Sequence, residues 1–262
     1  HYTIHSNKIK DARGIRFAVI ADLHGMEFGP DNRKLLETIH RYRPDGILIA
    51  GDMIVRNDSA SLKTASSLLR SLAQQYPVYY ALGNHEYKLC RTDPQENCMA
   101  ARYQEYEKEL KKAGIHILHN ESCSLQVGKT SLTVYGLEIP LIYYKKPFSP
   151  QLRREEVREL IGEPSSDFLN ILLAHSPKYG DTYFDWGADL ILSGHYHGGI
   201  VRIGRHNGLL SPQLHPFPKF CCGDFHRKDQ HMLVSAGAGE HTIPVRIRNP
   251  RELLMVDLKP NA

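Results

Sequence analysis

The chain has 262 residues, with 33 Lys and Arg against 29 Asp and Glu, for a formal net charge of +4. Its 41% hydrophobic and 24% charged residues match an ordinary folded protein and exclude disorder, collagen-like repeats and coiled coil as whole-chain readings. No apolar run reaches the roughly 18 residues needed to span a bilayer, and no basic block gathers the excess charge, so no nucleic-acid partner is expected. The unusual figure is 15 histidines, and their placement decides the reading.

The first residue is His1 instead of Met, which leaves room for a signal or anchor segment upstream. An extracytoplasmic, membrane-associated location is expected on that basis, with a cytoplasmic one as the alternative. The five cysteines show no CxxC spacing. Cys90 and Cys98 flank a short polar loop and are candidates for pairing in an oxidising compartment, whereas Cys221-Cys222 reads as two idle thiols.

Along the chain, apolar runs at 15–21, 47–50, 78–82, 171–174 and 188–192 each stop abruptly at a polar cluster. Runs of this length, β-branched and bounded by Gly or Pro, predict strands buried on both faces. Helices are predicted between them. Residues 31–43 carry Leu35, Leu36, Ile39 and Tyr42 on one stripe, and 60–75 repeat the pattern with Leu62, Leu68, Leu69 and Leu72. A third amphipathic helix is expected over 100–113. Then 115–127 and 130–138 read as a hairpin turning at Gly128-Lys129, and 231–236 and 251–258 supply further strands. The expectation is one α/β domain over residues 1–262, a four-layer α-β-β-α sandwich of two mixed sheets flanked by helices.

Parallel sheets carry their working residues beyond the carboxyl ends of the strands. Asp22, His24, Asp52, Asn84, His85, His175, His195 and His197 all occupy that position, so they are expected to converge on one rim. Asp-x-His and His-x-His spacings put two side chains on one side of an extended segment. The set is too large for one tetrahedral zinc. It suits two divalent ions sharing a carboxylate, with Mn first and Fe, Zn or Co as alternatives, rather than Mg or Ca. Singly, each cluster is an ordinary turn, cap or polar core residue; jointly they point to a metal centre.

The order Asp22-x-His24, Gly51-Asp52, Gly83-Asn84-His85-Glu86, His175 and Gly194-His195-x-His197 resembles the calcineurin-like metallophosphoesterase superfamily. Gly198-Gly199, the segment from Gly208 to Phe220 and the end from Val234 to Pro250 resemble a bacterial subgroup. That subgroup includes membrane-associated phosphoesterases and enzymes cleaving the pyrophosphate of UDP-diacylglucosamine. The resemblance implies that Asp22, His24 and His197 hold one metal, that Asn84, His175 and His195 hold the other, and that Asp52 bridges both. It implies His85 as the general acid. Two positions depart from the pattern: Val55 stands where the family often has an acid, and Ile200 where the subgroup often has Gln.

The implied function is a dinuclear metal-dependent hydrolase acting on a phosphoester or pyrophosphate, in which two cations clamp the phosphoryl oxygens and lower the pKa of a shared water. The substrate is lipid-linked or a nucleotide diphosphate. The alternatives are a soluble nucleotide phosphodiesterase and a catalytically silent metal-binding scaffold; the complete ligand set speaks against the scaffold. Leu209 to Phe220 interleaves apolar residues with prolines, which bar helix and ladder, so Phe217 and Phe220 are expected on a surface loop. Residues 139–148 add aromatics beside Lys145 and Lys146. Together these two loops are expected to meet an acyl chain or a membrane surface, with core packing as the alternative.

Overall fold

The apolar runs lack polar alternation because both faces of their strands are covered. In Gly46–Ala50, Ile47 and Ile49 turn to the helices, while Leu48 and Ala50 turn to the opposite sheet, and all five residues are buried. The computed structural model describes residues 1–146, 148–204, 206–211, 216–240 and 245–261. Pro212, Leu214 and the Ile243-Pro244 pair of the motifs above lie outside the described residues.

The first sheet has six strands. At its centre β2 (Ile15–Ile20), β3 (Gly46–Ala50), β4 (Val78–Ala81) and β5 (His116–Leu118) run parallel. On the other side of β2, β14 (Leu254–Pro260) runs antiparallel to it, and β1 (Tyr2–Ser6) runs parallel to β14 at the edge. The second sheet also has six strands, in the order β12 (Gly223–Arg227), β13 (Gln230–Val234), β9 (Leu190–Ser193), β8 (Leu169–Ala174), β7 (Thr130–Leu137) and β6 (Ser122–Val127). Its four inner strands are parallel and its two edges antiparallel. Both sheets are therefore mixed, as expected.

Phe17, Val19, Leu48 and Tyr79 of the first sheet meet Leu132, Val134, Ile171, Leu173, Leu192 and Leu233 of the second in a fully apolar middle layer. Outside the first sheet lie α1 (Arg33–Tyr42), α2 (Ser59–Ala73) and α4 (Cys98–Lys112), burying Ile39, Leu68, Leu69, Leu72, Tyr103 and Leu110. Outside the second lie α5 (Arg154–Ile161) and α6 (Gly180–Trp186), with Val157, Tyr183, Phe184 and Trp186 turned inward. The four-layer sandwich is complete.

Three expectations need correction. Residues 116–118 do not belong to the hairpin; they pair with β4 in the first sheet, and the hairpin proper is β6–β7. Phe220 is not on a surface loop but buried, its ring edge-on to Phe184 and Phe225, whereas Phe217 is 65% exposed. Cys90 and Cys98 are free thiols, not a pair. Among the described residues no helix is long and apolar enough to cross a membrane.

His119 ties the layers together at the far edge. Its Nδ1 lies 2.7 Å from Glu138, just past β7, and its Nε2 2.7 Å from Glu107 of α4. Hydrogen bonds from Glu107 and then Glu138 push its pKa up to about 9 despite its burial. One protonated imidazole thus holds a helix and both sheets.

Candidate active site

The carboxyl ends of β2, β3 and β4 in one sheet and of β8 and β9 in the other face the same rim. The loops after β2 and β3 are knitted by backbone hydrogen bonds, from Asp22 N to the Gly51 carbonyl (3.0 Å) and from His24 N to that of Asp52 (3.1 Å). Gly194 N donates to the His175 carbonyl across the other sheet (3.1 Å). Close approach sets the residue type here: a Cβ on Gly83 would strike the Asp52 carboxylate, and one on Gly51 would lie 2.6 Å from His175 Nδ1.

All eight predicted residues come together. One atom each from Asp22, His24 and His197, from Asp52, His175 and His195, and from His24, Asp52 and His85 lie within 4.8 Å of one another in each trio. His24 Nε2 stands 3.1 Å from His197 Nε2, and Asp22 Oδ1 stands 3.5 Å from the latter. His175 Nε2 lies 3.0 Å from Asp52 Oδ2, which is also 3.9 Å from His24 Nε2. Asp52 therefore faces both groups. Asp22, His24, Asp52, His195 and His197 have φ between 47° and 66°, the left-handed region that non-glycine residues seldom adopt. Five of eight site residues sharing that backbone marks a geometry held for function.

The oxygens and ring nitrogens are aimed by their neighbours. His195 N donates to both Asp22 oxygens (3.0 and 2.9 Å), and His85 N donates to Asp52 Oδ1 (2.9 Å). His175 Nδ1 donates to the Ala50 carbonyl at 2.7 Å, which directs Nε2 into the cluster. The Arg56 backbone N–H donates to His85 Nδ1 at 3.1 Å, so the proton of the neutral ring sits on Nε2. Arg246 can only donate, so its Nη2, 3.2 Å away, makes His197 Nδ1 an acceptor.

Charge is balanced by protons. Burial pushes Asp22 up to about 7. Burial acts the same way on Asp52, but His175, His85 and His24 outweigh it and hold that carboxyl well below its usual range. Burial would lower His175, yet Asp52 and Asp22 raise it to about 10. The donor set fits divalent cations: two carboxylates, an amide and imidazoles face one another at the spacing of ligands around an ion. Asn84 Oδ1 is buried with no hydrogen-bond partner among the described residues, an acceptor that a cation would satisfy.

Comparison with known proteins agrees with the geometry. The model of the calcineurin-like phosphoesterase family matches residues 15–199. The chain belongs to that family. It is accordingly a metal-dependent hydrolase of the phosphoester class. A Caenorhabditis elegans metallophosphoesterase, F40B5.2, is 28% identical over 93% of this chain, which spans 48% of that relative's length. The phosphodiesterase YaeI of Escherichia coli is 25% identical over 74% of this chain and 64% of its own. Two solved structures share the fold. One is the phosphopantetheinyl hydrolase PptH of Mycobacterium tuberculosis (TM-score 0.50, 15% identity, 86% of this chain and 89% of that one). The other is a Staphylococcus aureus protein named as a 5′-nucleotidase (TM-score 0.52, 13% identity, 95% of this chain and 55% of that one).

Sequence reasoning missed two residues. Tyr144, in the short turn Leu141–Tyr144, sets its ring 5.1 Å from that of His195 and walls the site. Glu86, which read only as a helix cap, is fully buried. Its carboxylate accepts from the backbone N–H groups of Asp52, Met53, Ile54 and Gly83 and from the Tyr80 hydroxyl, at 2.7–3.2 Å. The Gly-Asn-His-Glu run held the signal, but nothing local showed that the acid turns inward. Glu86→Ala strands five buried donors and is expected to cost on the order of 4 kcal/mol, read as a lower midpoint in urea unfolding. An unchanged midpoint would show that water replaces the carboxylate at no cost.

Proposed function

We propose that this chain hydrolyses a phosphodiester or pyrophosphate linkage at a centre of two divalent ions, manganese first among them, close to a membrane surface. In this reading Asp22, His24 and His197 hold one ion, Asn84, His175 and His195 hold the other, and Asp52 serves both. The ions, when bound, supply positive charge for the phosphoryl oxygens and a water acidic enough to attack at neutral pH. The observation that carries the reading is the His85 ring, whose Nδ1 is occupied by the Arg56 N–H and whose proton is therefore on Nε2. That tautomer can hand a proton to a leaving oxygen. Tyr144 excludes water on the His195 side.

Binding of metal must displace protons from this site. His175, raised to about 10, has to lose its Nε2 proton, and Asp22, raised to about 7, has to be ionised. Affinity should therefore rise with pH, by about tenfold per unit between 7 and 10 and more steeply below 7. Titrating Mn²⁺ into metal-free protein should release protons into weak buffer. Asp52→Asn should abolish that uptake and slow turnover by about 10²-fold or more. A pH-independent affinity, or two ions retained in the Asn variant, would overturn the ligand assignment.

His85→Asn should keep both ions and lose turnover, by less for a nitrophenolate leaving group than for an alkoxide, because a good leaving group needs no proton. An equal loss on both substrates would remove the general-acid role.

The membrane part of the reading rests on the loops beside the site. Ile142 and Phe148 are 46% and 84% exposed next to the exposed Lys145 and Lys146, in the segment that sets Tyr144 against His195. Leu209 and Phe217 are exposed on the segment that follows His197, with Leu209 N bonded to the Val201 carbonyl and Phe217 N to that of Leu209. Apolar tips beside lysines suit an anionic headgroup boundary. Phe217→Ser should weaken co-sedimentation with anionic liposomes while sparing turnover of a soluble phosphodiester. Unaltered sedimentation would argue for a soluble nucleotide substrate.

A further inference from the structure

Behind the His197 ring, on the side away from His24, lies a cavity of about 570 Å³ lined by Glu240, Arg246, Arg248, Asn249, Pro250 and Arg251. It adjoins the metal cluster through two contacts. Arg246 Nη2 reaches His197 Nδ1 at 3.2 Å, and Asn249 Nδ2 donates to the His197 and Gly199 carbonyls at 2.5 Å each. Only the width of one imidazole separates the guanidinium from the ring nitrogen that faces the other ligands.

Three guanidiniums line this cavity against one carboxylate. Arg251 pairs with Glu240, and Arg246 Nε stands 3.5 Å from the same acid with no hydrogen bond of its own. The Arg246 side chain is 11% exposed, and its Nη atoms bond the carbonyls of Ala236 and Gly239, which fixes its plane. Those bonds explain Arg246 as a clamp on the loop after β13. They do not explain Arg248, which is exposed, holds a left-handed φ of 51° and makes no ion pair among the described residues. One acid offsets one of three cations. The remaining positive charge sits in a recess that opens beside a site for phosphoryl oxygens.

We propose that this recess is a subsite for a second phosphate group next to the scissile one, so that the chain prefers diphosphate esters over simple phosphodiesters. Guanidinium groups match phosphate oxygens in pairs of parallel hydrogen bonds and stay charged at every working pH. The proposal rests on the hydrolase reading above, since it names the substrate class of that site.

The test compares binding of α,β-methylene-ADP, whose two phosphorus atoms are joined by carbon and resist hydrolysis, with binding of AMP. Calorimetry on the full chain loaded with Mn²⁺ should show the first bound about tenfold or more tightly than the second. Arg248→Ala with Arg251→Ala should reduce that ratio to about twofold or less, and Arg248→Lys should retain part of it. Arg248→Glu, a single change at an exposed side chain, keeps the test open if the double variant fails to fold; it should lower the ratio further. Equal affinity of the two ligands for the unaltered chain, or an undiminished ratio in both variants, would overturn the subsite. Because the readout is binding, a preference without turnover on any phosphoester would count against the hydrolase reading alone. Turnover without a preference would count against the subsite alone.

Discussion

The Glu86 carboxylate is the point on which the metal rim depends. The chain leaving β3 turns sharply at Gly51, and its next backbone N–H groups have no strand to pair with and no water to reach. One buried acid in the first turn of α3 (Asn84–Cys90) collects three of them, together with Gly83 N and the Tyr80 hydroxyl. Burial and the Asp52 charge push this acid up to about 8, and the five donors work the other way. The loop bearing Asp52 and the helix bearing Asn84 and His85 are thereby locked at one mutual distance. From that lock follows the bond from His85 N to Asp52, and from Asp52 the reach to His175 in the second sheet.

The second constraint is conformational. Left-handed backbone at a non-glycine residue costs on the order of 1 kcal/mol, and the rim carries it at Asp22, His24, Asp52, His195 and His197. The strands end where the middle apolar layer ends, so the chain must turn at once, and the turn that aims each side chain inward is the strained one. The cost is offset by cross-loop hydrogen bonds that leave each turn no alternative. Ser193 Oγ on the Ala174 carbonyl and Ala238 N on that of Ala21 belong to this lattice.

Electrostatically the rim is a site arranged for cations, which protons fill in their place. His175 between the Ala50 carbonyl and Asp52 carries a positive charge that a metal ion would replace. Around it the chain adds cationic character of its own: Arg246 behind His197, then Arg248 and Arg251 further out, and Lys145 and Lys146 on the loop leading away from Tyr144. Acids gather at the centre and bases at the margin, which suits a ligand that is anionic and larger than a single phosphoryl group.

The sequence by itself determined the strands of the parallel core and the eight rim residues. Burial on both faces forces an uninterrupted apolar run, and its abrupt end marks the carboxyl end of the strand, so Asp22, Asp52, His175 and His195 are readable from position alone. The helices 33–42, 59–73 and 98–112 were legible to within about two residues because each is long enough to show its period. The seven and eight residues of α6 and α5 are too few for that. Only the tertiary structure decided that 116–118 pairs with β4, that Phe220 turns into the core while Phe217 three residues earlier stays in solvent, and that Glu86 faces inward. Each of these depends on what arrives from a distant part of the chain: the free edge of β4, the ring faces of Phe184 and Phe225, and the unpaired N–H groups after β3. A local pattern records which face a residue can bury, but the partner that covers that face is set by the packing of the two sheets.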